Sequence, residues 1–227
     1  MARGESLQQP AMSARLTAAE ANRRYFREAY RTGQHGWGVQ EPSAYALNCL
    51  EQVKAQAGPG RLLDLGCGEG RHSLAAAPIG FQVVGVDYEP LAIERARHFA
   101  RTVGVEGIHF LVADILALPF PADCFDVVLD YGCLHHQRKR DWPAYKRSLL
   151  RVLRPQGFYI LQVFGPDFRL FGGSSRKWHL AYGSYRRYFT QDDLRGLFDD
   201  DFEVLTLEEE PGPDGGFWHA LMQRRAT

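Results

Sequence analysis

Leu63-Asp64-Leu65-Gly66-Cys67-Gly68-Glu69-Gly70 is the stretch on which the fold turns. An apolar run ends in it, and a helix-compatible run, 70–77, opens from it. Glycine lets a chain turn with positive φ and brings bare backbone close to a ligand. Amides at the start of a helix meet a carboxylate or a phosphate. The spacing is informative beyond the glycines. A dinucleotide fingerprint reads G-x-G-x-x-G and would need glycine where Arg71 stands. The chain reads D-x-G-x-G-x-G instead, with an acid inside the strand.

Downstream the pattern alternates. Short apolar runs at 61–65, 82–86, 108–113, 125–129 and 158–163 are predicted strands, with amphipathic stretches at 70–77, 90–103 and 142–153 between them. Asp87, Asp114 and Asp130 close the second, third and fourth runs. Such alternation implies a parallel sheet covered on both faces. A helix over 191–198, capped by Thr190, precedes strands at 202–207 and 216–223, whose connection is too short for a helical crossover and makes them antiparallel. The expected fold is α/β: a doubly wound, seven-stranded, mostly parallel sheet with one antiparallel strand near the C-terminus and helices on both faces, in three layers.

Upstream, Ala21, Tyr25, Phe26 and Tyr30 share one face of a predicted helix starting at Thr17, and a second helix is expected over 43–56. Residues 1–16 read as a poorly ordered tail. The rest, 17–227, reads as one domain with a helical lid over about 17–57 and a cap insertion over about 164–189.

Composition limits the function classes. Of 227 residues, 45% are apolar and 24% charged, and 27 basic residues balance 27 acidic ones, so no overall positive field draws the chain to nucleic acid or an anionic membrane. The four cysteines contain no C-x-x-C pair, which removes the spacing of a zinc site or redox dithiol. No signal-type segment or bilayer-length run stands out, and a reducing, cytoplasmic setting is expected.

The glycine stretch and the three strand-end acids resemble the class I, Rossmann-like, S-adenosylmethionine-dependent methyltransferase superfamily, and its small soluble members of the methyltransferase-domain 11/25 type. The resemblance runs from Gly60 to Gln223 and includes Leu149 to Gly157, where Gln156 replaces a usual glycine. It implies S-adenosylmethionine as cofactor and S-adenosylhomocysteine as product. Asp64, Gly66, Cys67 and Gly68 would meet the amino-acid part, Asp87 the ribose hydroxyls, Tyr88 the adenine face, and Asp114 with Ile115 the adenine edge. Asp130 belongs to the same set, and Tyr25 and Trp37 would close over it.

Methyl transfer from an activated donor needs alignment and exclusion of water more than a fixed catalytic motif. His135 and His136, beyond the fourth strand, are the candidates to orient or deprotonate an acceptor; the alternative is that one caps a helix and the other packs. Cys133 reads as a small buried filler, and no metal site is expected. His35, Arg169, Trp178 and Tyr185 are the candidate substrate contacts, the last three within a basic, aromatic insertion suited to an anionic or aromatic small molecule. A solvated loop or, less simply, single-stranded nucleic acid are the other readings of that insertion. The acidic runs 199–201 and 208–210 read as solvated edges. The expected partner is a small-molecule substrate, with no membrane, no nucleic acid, and a monomer or homodimer. A nicotinamide-dependent oxidoreductase and a non-catalytic cofactor-binding subunit are the competing functions.

Overall fold

The computed structural model describes residues 17–35, 37, 41–166, 178–181, 183–210 and 216–226. The expected tail, 1–16, and Arg169 lie outside them. Helix α1 (Ala18–Thr32) opens on a capping box, with Thr17 accepting from the Glu20 amide and Glu20 reaching back. Helix α2 (Ala44–Ala57) is capped by Ser43. Then follow β1 (Arg61–Leu65), α3 (Arg71–Ile79), β2 (Gln82–Asp87), α4 (Pro90–Val103), β3 (Ile108–Val112), β4 (Phe125–Tyr131), α5 (Trp142–Val152) and β5 (Leu153–Phe164). A two-stranded hairpin, β6 (Trp178–Ala181) and β7 (Ser184–Arg187), precedes α6 (Gln191–Phe198), β8 (Phe202–Glu210) and β9 (Phe217–Arg224).

The main sheet runs β3-β2-β1-β4-β5-β9-β8. Pairs up to β4–β5 are parallel, and β9 lies antiparallel between β5 and β8. This is the expected doubly wound sheet with a single reversed strand. The order reverses between β1 and β4, which opens a crevice at the carboxyl ends of those strands, the usual ligand position in such sheets.

Alternation along each strand decides what each face buries. Leu63, Val84, Val128 and Tyr159 face a core shared with α5 and α6. Leu62, Val83, Val127 and Phe158 face the opposite core, shared with α2 and α3. Two features differ from the sequence expectation. Strand β5 begins five residues early, at Leu153, because Gln156 takes the turn in left-handed backbone (φ 61) without breaking the strand. The hairpin β6–β7 stands within the expected cap insertion, where no strand was expected.

Candidate ligand-binding cavity

Three alternate glycines after β1 have positive φ: Gly66 at 63°, Gly68 at 56° and Gly70 at 87°. A side chain at any of the three is strained by the backbone, and each position is crowded as well; at Gly70 a Cβ would stand 2.8 Å from the Phe110 ring. A Cβ at Gly66 would stand 2.9 Å from Cys133 Sγ, and one at Gly68 2.9 Å from Tyr30 Oη. The turn leads into α3, whose N-cap, Gly70, makes no side-chain cap.

This turn floors a cavity of about 710 Å³, inside the range of roughly 300–1,000 Å³ usual for small-molecule sites. Asp64 is 2% exposed and accepts from Ser73 Oγ at 2.6 Å; burial pushes its carboxyl up to about 7. Asp87, at the end of β2, accepts from the amides of Gly68 (3.1 Å) and Glu89 (2.9 Å), one on each oxygen. Burial raises it to about 6. A carboxylate has about four acceptor positions, so both oxygens keep capacity for a diol. Tyr88, Asp114 and Ile115 continue the wall. Asp114 bonds the Leu116 amide and sits 3.6 Å from Arg23.

Asp130 requires a correction. It pairs with Leu65 across the β1–β4 ladder and therefore points to the α5 face, opposite Asp64. There it is fully buried, accepting from the amides of Cys133 and Leu134 and from Tyr145 Oη at 2.6 Å. It does not line the cavity. Its role is to pin the loop that carries His135 and His136.

Both histidines line the cavity. His135 stacks on Phe164, with centroids 3.7 Å apart, and burial drives its pKa far down. His136 is fixed from three sides. Its Nδ1 lies 2.8 Å from the Tyr185 carbonyl, its own carbonyl accepts from Asn22 Nδ2 at 3.0 Å, and Phe26 meets its ring edge-on at 4.9 Å. A carbonyl only accepts, so Nδ1 carries the proton and Nε2 keeps a lone pair. Burial lowers this ring to about 4, and the charge of Arg186 adds to the effect.

Helix α1 supplies the roof. Tyr25, Phe26 and Tyr30 line the cavity with Trp37, whose Nε1 donates to Tyr30 Oη at 3.1 Å. His35 does not. It stacks behind Trp37 at 4.9 Å and faces Glu69 at 3.6 Å. Tyr185 and Trp178 also miss the wall; they stack on each other at 6.0 Å, and Trp178 is half exposed. Alternation along β7 puts Arg186 on the cavity instead, where its Nη2 donates to Tyr25 Oη at 3.2 Å. Sequence reading did not single out Asn22, Phe164 or Phe217. Asn22 is a polar residue inside a helix and carries no pattern signal. The two phenylalanines read as ordinary strand residues.

Residues 62–157 match the methyltransferase domain family. The 2-heptyl-1-hydroxyquinolin-4(1H)-one methyltransferase of Mycobacteroides abscessus is 32% identical over 128 residues, covering 56% of this chain and 55% of that protein. Demethylmenaquinone methyltransferase of Thermus thermophilus is 39% identical over 115 residues, covering 48% and 49%. The chain thus spans about half the length of these curated relatives. Among solved structures, the 1,6-didemethyltoxoflavin-N1-methyltransferase of Burkholderia thailandensis superposes with a TM-score of 0.73 at 24% identity, covering 95% of this chain and 94% of that one. That likeness is one of fold.

Proposed function

We propose that this chain, whose residues 62–157 match the methyltransferase domain family, transfers a methyl group from S-adenosylmethionine to a small-molecule nucleophile. The observation that carries the reading is one cavity joining the glycine turn to the His136 loop beneath an aromatic roof. The residues fit the cofactor. Two buried carboxylates with raised pKa values, Asp64 and Asp87, favour a cationic ligand. Gly66 and Gly68 bring bare backbone to the cavity wall.

Asp87 would hold the ribose hydroxyls, Asp64 would balance the ammonium group, and Tyr88, Asp114 and Ile115 would border the adenine. Bound, the cofactor supplies a methyl group already activated on a sulfonium. The chain's residues do the rest. Tyr25, Phe26, Tyr30 and Trp37 exclude water and offer ring faces to a cation. His136 accepts a hydrogen bond at Nε2 and orients the acceptor.

The quinolinone and demethylmenaquinone methyltransferases are named for small acceptors, which supports a small acceptor here. The test has two stages. Calorimetry with S-adenosylhomocysteine is expected to give saturable heat, and NADH none. Labelled S-adenosylmethionine is then incubated with fractionated small molecules, protein and RNA, and label is expected in the small-molecule fraction. Absence of heat, or label in polymer alone, overturns the proposal.

A further inference from the structure

We propose that the methyl acceptor carries two neighbouring hydroxyl groups, one held by His136 for methylation and the other held between His135 and Gln162. This deepens the methyl-transfer reading and rests on it.

The geometric argument comes from a second polar subsite in the cavity wall. Gln162 sits near the end of β5, paired with Tyr131 of β4 on one side and His219 of β9 on the other. It is 8% exposed and His135 is 3% exposed, and both line the cavity. Among the described residues, none hydrogen-bonds to the Gln162 amide or to His135 Nε2. Buried polar groups without partners are costly and uncommon, and polar groups that converge within a pocket mark the place of a ligand group. These two converge beside Gly132. A Cβ built on that glycine would stand 3.9 Å from Gln162 Oε1 and 3.9 Å from His135 Nε2, and 3.5 Å from His135 Cε1. Glycine at this position, with φ at 103°, keeps the gap between them clear.

The chemistry of the pair selects the group it takes. Burial drives the pKa of His135 far down, so its ring is neutral. Its Nδ1 is enclosed without a partner, which places the ring proton on Nε2, where a ligand can accept it. Gln162 Oε1 only accepts. A hydroxyl satisfies both at once, donating its hydrogen to Oε1 and accepting from Nε2. A carboxylate has no hydrogen for Oε1, and an ammonium group has no lone pair for Nε2. The ring centroids of His135 and His136 are 4.5 Å apart, so the hydroxyls they hold belong on adjacent carbons of one molecule.

The step keeps the acceptor neutral until the methyl group moves. The first hydroxyl donates to His136 Nε2. An oxygen lone pair forms the new O–C bond as the C–S bond breaks, and that bonding pair stays on sulfur. The oxygen is left as a protonated ether, a far stronger acid than an imidazolium with a pKa of about 4. Its proton therefore passes to Nε2 and on to solvent. A hydroxyl and a sulfonium cation become a neutral ether, a neutral thioether and one proton. The second hydroxyl is unchanged and serves only to fix which oxygen faces the methyl group.

The experiment uses the full chain saturated with S-adenosylhomocysteine and two probes, naphthalene-2,3-diol and 3-methyl-2-naphthol. The second probe puts a methyl group where the first has its other hydroxyl. Calorimetric titration is expected to show the diol bound at least about tenfold more tightly, because the methyl analogue leaves both wall groups unpaired. In Gln162→Leu that preference is expected to shrink at least about fivefold, with S-adenosylhomocysteine affinity unchanged. Equal affinity for the two probes in the wild-type protein, or binding of neither, overturns the inference, and that measurement does not depend on the variant folding. A preference that survives in Gln162→Leu while S-adenosylhomocysteine affinity falls also overturns it, since the amide would then serve the cofactor. Failure of S-adenosylhomocysteine itself to bind the wild-type protein would instead remove the methyl-transfer reading beneath it, and this inference with it.

Discussion

Asp64 is held in conflict between stability and binding. Its carboxyl is 2% exposed, with one side-chain partner, Ser73, and titrates near 7. The folded pKa is raised above the unfolded value, so the associated stability is present at low pH and lost as pH rises through 7. At pH 8 the ionised, buried form carries the full penalty. Asp64→Asn keeps an acceptor for Ser73 and sheds the charge. Thermal unfolding at pH 8 is expected to rise by several degrees, at about 2–4 °C per kcal/mol for a chain of this size. S-adenosylhomocysteine affinity is expected to fall about tenfold in the same variant, and a variant that is stabilised with unchanged affinity would separate Asp64 from the ligand. His136 carries the opposite expectation. His136→Ala removes one oriented acceptor, worth about 1 kcal/mol or more, so kcat is expected to drop roughly five- to tenfold with cofactor affinity retained. Because the ring titrates near 4, wild-type kcat should show no inflection from this group above about pH 5.5; an inflection near 6.5 that His136→Ala abolishes would mean the ring is not held in the neutral state described.

At the scale of elements, the site is a junction of three pieces, and Asn22 is the bolt. From α1 its Nδ2 donates to the His136 carbonyl at 3.0 Å and its Oδ1 accepts from the Tyr185 amide of β7 at 2.5 Å. Its backbone carbonyl accepts from Tyr88 Oη at 3.4 Å. Asn22→Ala deletes the first two bonds and leaves the third. Amide exchange is expected to speed up together in α1, in 134–136 and in β7, while β1 and β4 stay protected. Faster exchange in α1 alone would show that the three pieces are not coupled through this residue. The same junction explains what was legible in the sequence. Strands β1, β2, β4 and β5 announce themselves because each buries both faces, and β3, at the sheet edge, because its apolar run is closed by Asp114. Asp64, Asp87 and Asp114 sit on strand ends that the run lengths place on one rim. Asp130 looked alike in sequence, but its direction depends on ladder register, which a one-residue shift inverts. The hairpin escaped notice because four-residue strands rich in Arg, Tyr and Trp carry no clear period. Without that strand there was no alternation to set Arg186 inward and Tyr185 outward. Asn22 gave no signal at all, since its three partners are 66, 114 and 163 residues away.

Across the whole molecule, protonation and ligand binding are coupled through buried groups of opposite sign. His72 and His136 are lowered to about 3 and 4, and His35, His135 and His219 are lowered as well. For these the unfolded chain binds protons that the folded one refuses, so stability falls as pH drops below about 6.5. Asp64, Asp87 and Asp130 are raised to about 7, 6 and 6. There the folded chain holds the extra protons, and stability falls as pH rises from about 4 to 7. In the free protein the two sets oppose each other through the pH 4–6 window, and the unfolding temperature should climb only weakly with pH. An ammonium-bearing ligand beside Asp64 and Asp87 changes that balance, because it favours their ionised forms and lowers both pKa values. Binding then expels protons, and the histidine contribution dominates the complex. S-adenosylhomocysteine at a hundred times its Kd is expected to add about 2.7 kcal/mol, and its stabilisation should grow between pH 5 and 7. Calorimetry in two buffers of different ionisation enthalpy should detect net proton release at pH 6. Identical pH slopes with and without the ligand, and no proton release, would mean that the charge of the ligand does not reach the carboxylates of the glycine-turn rim.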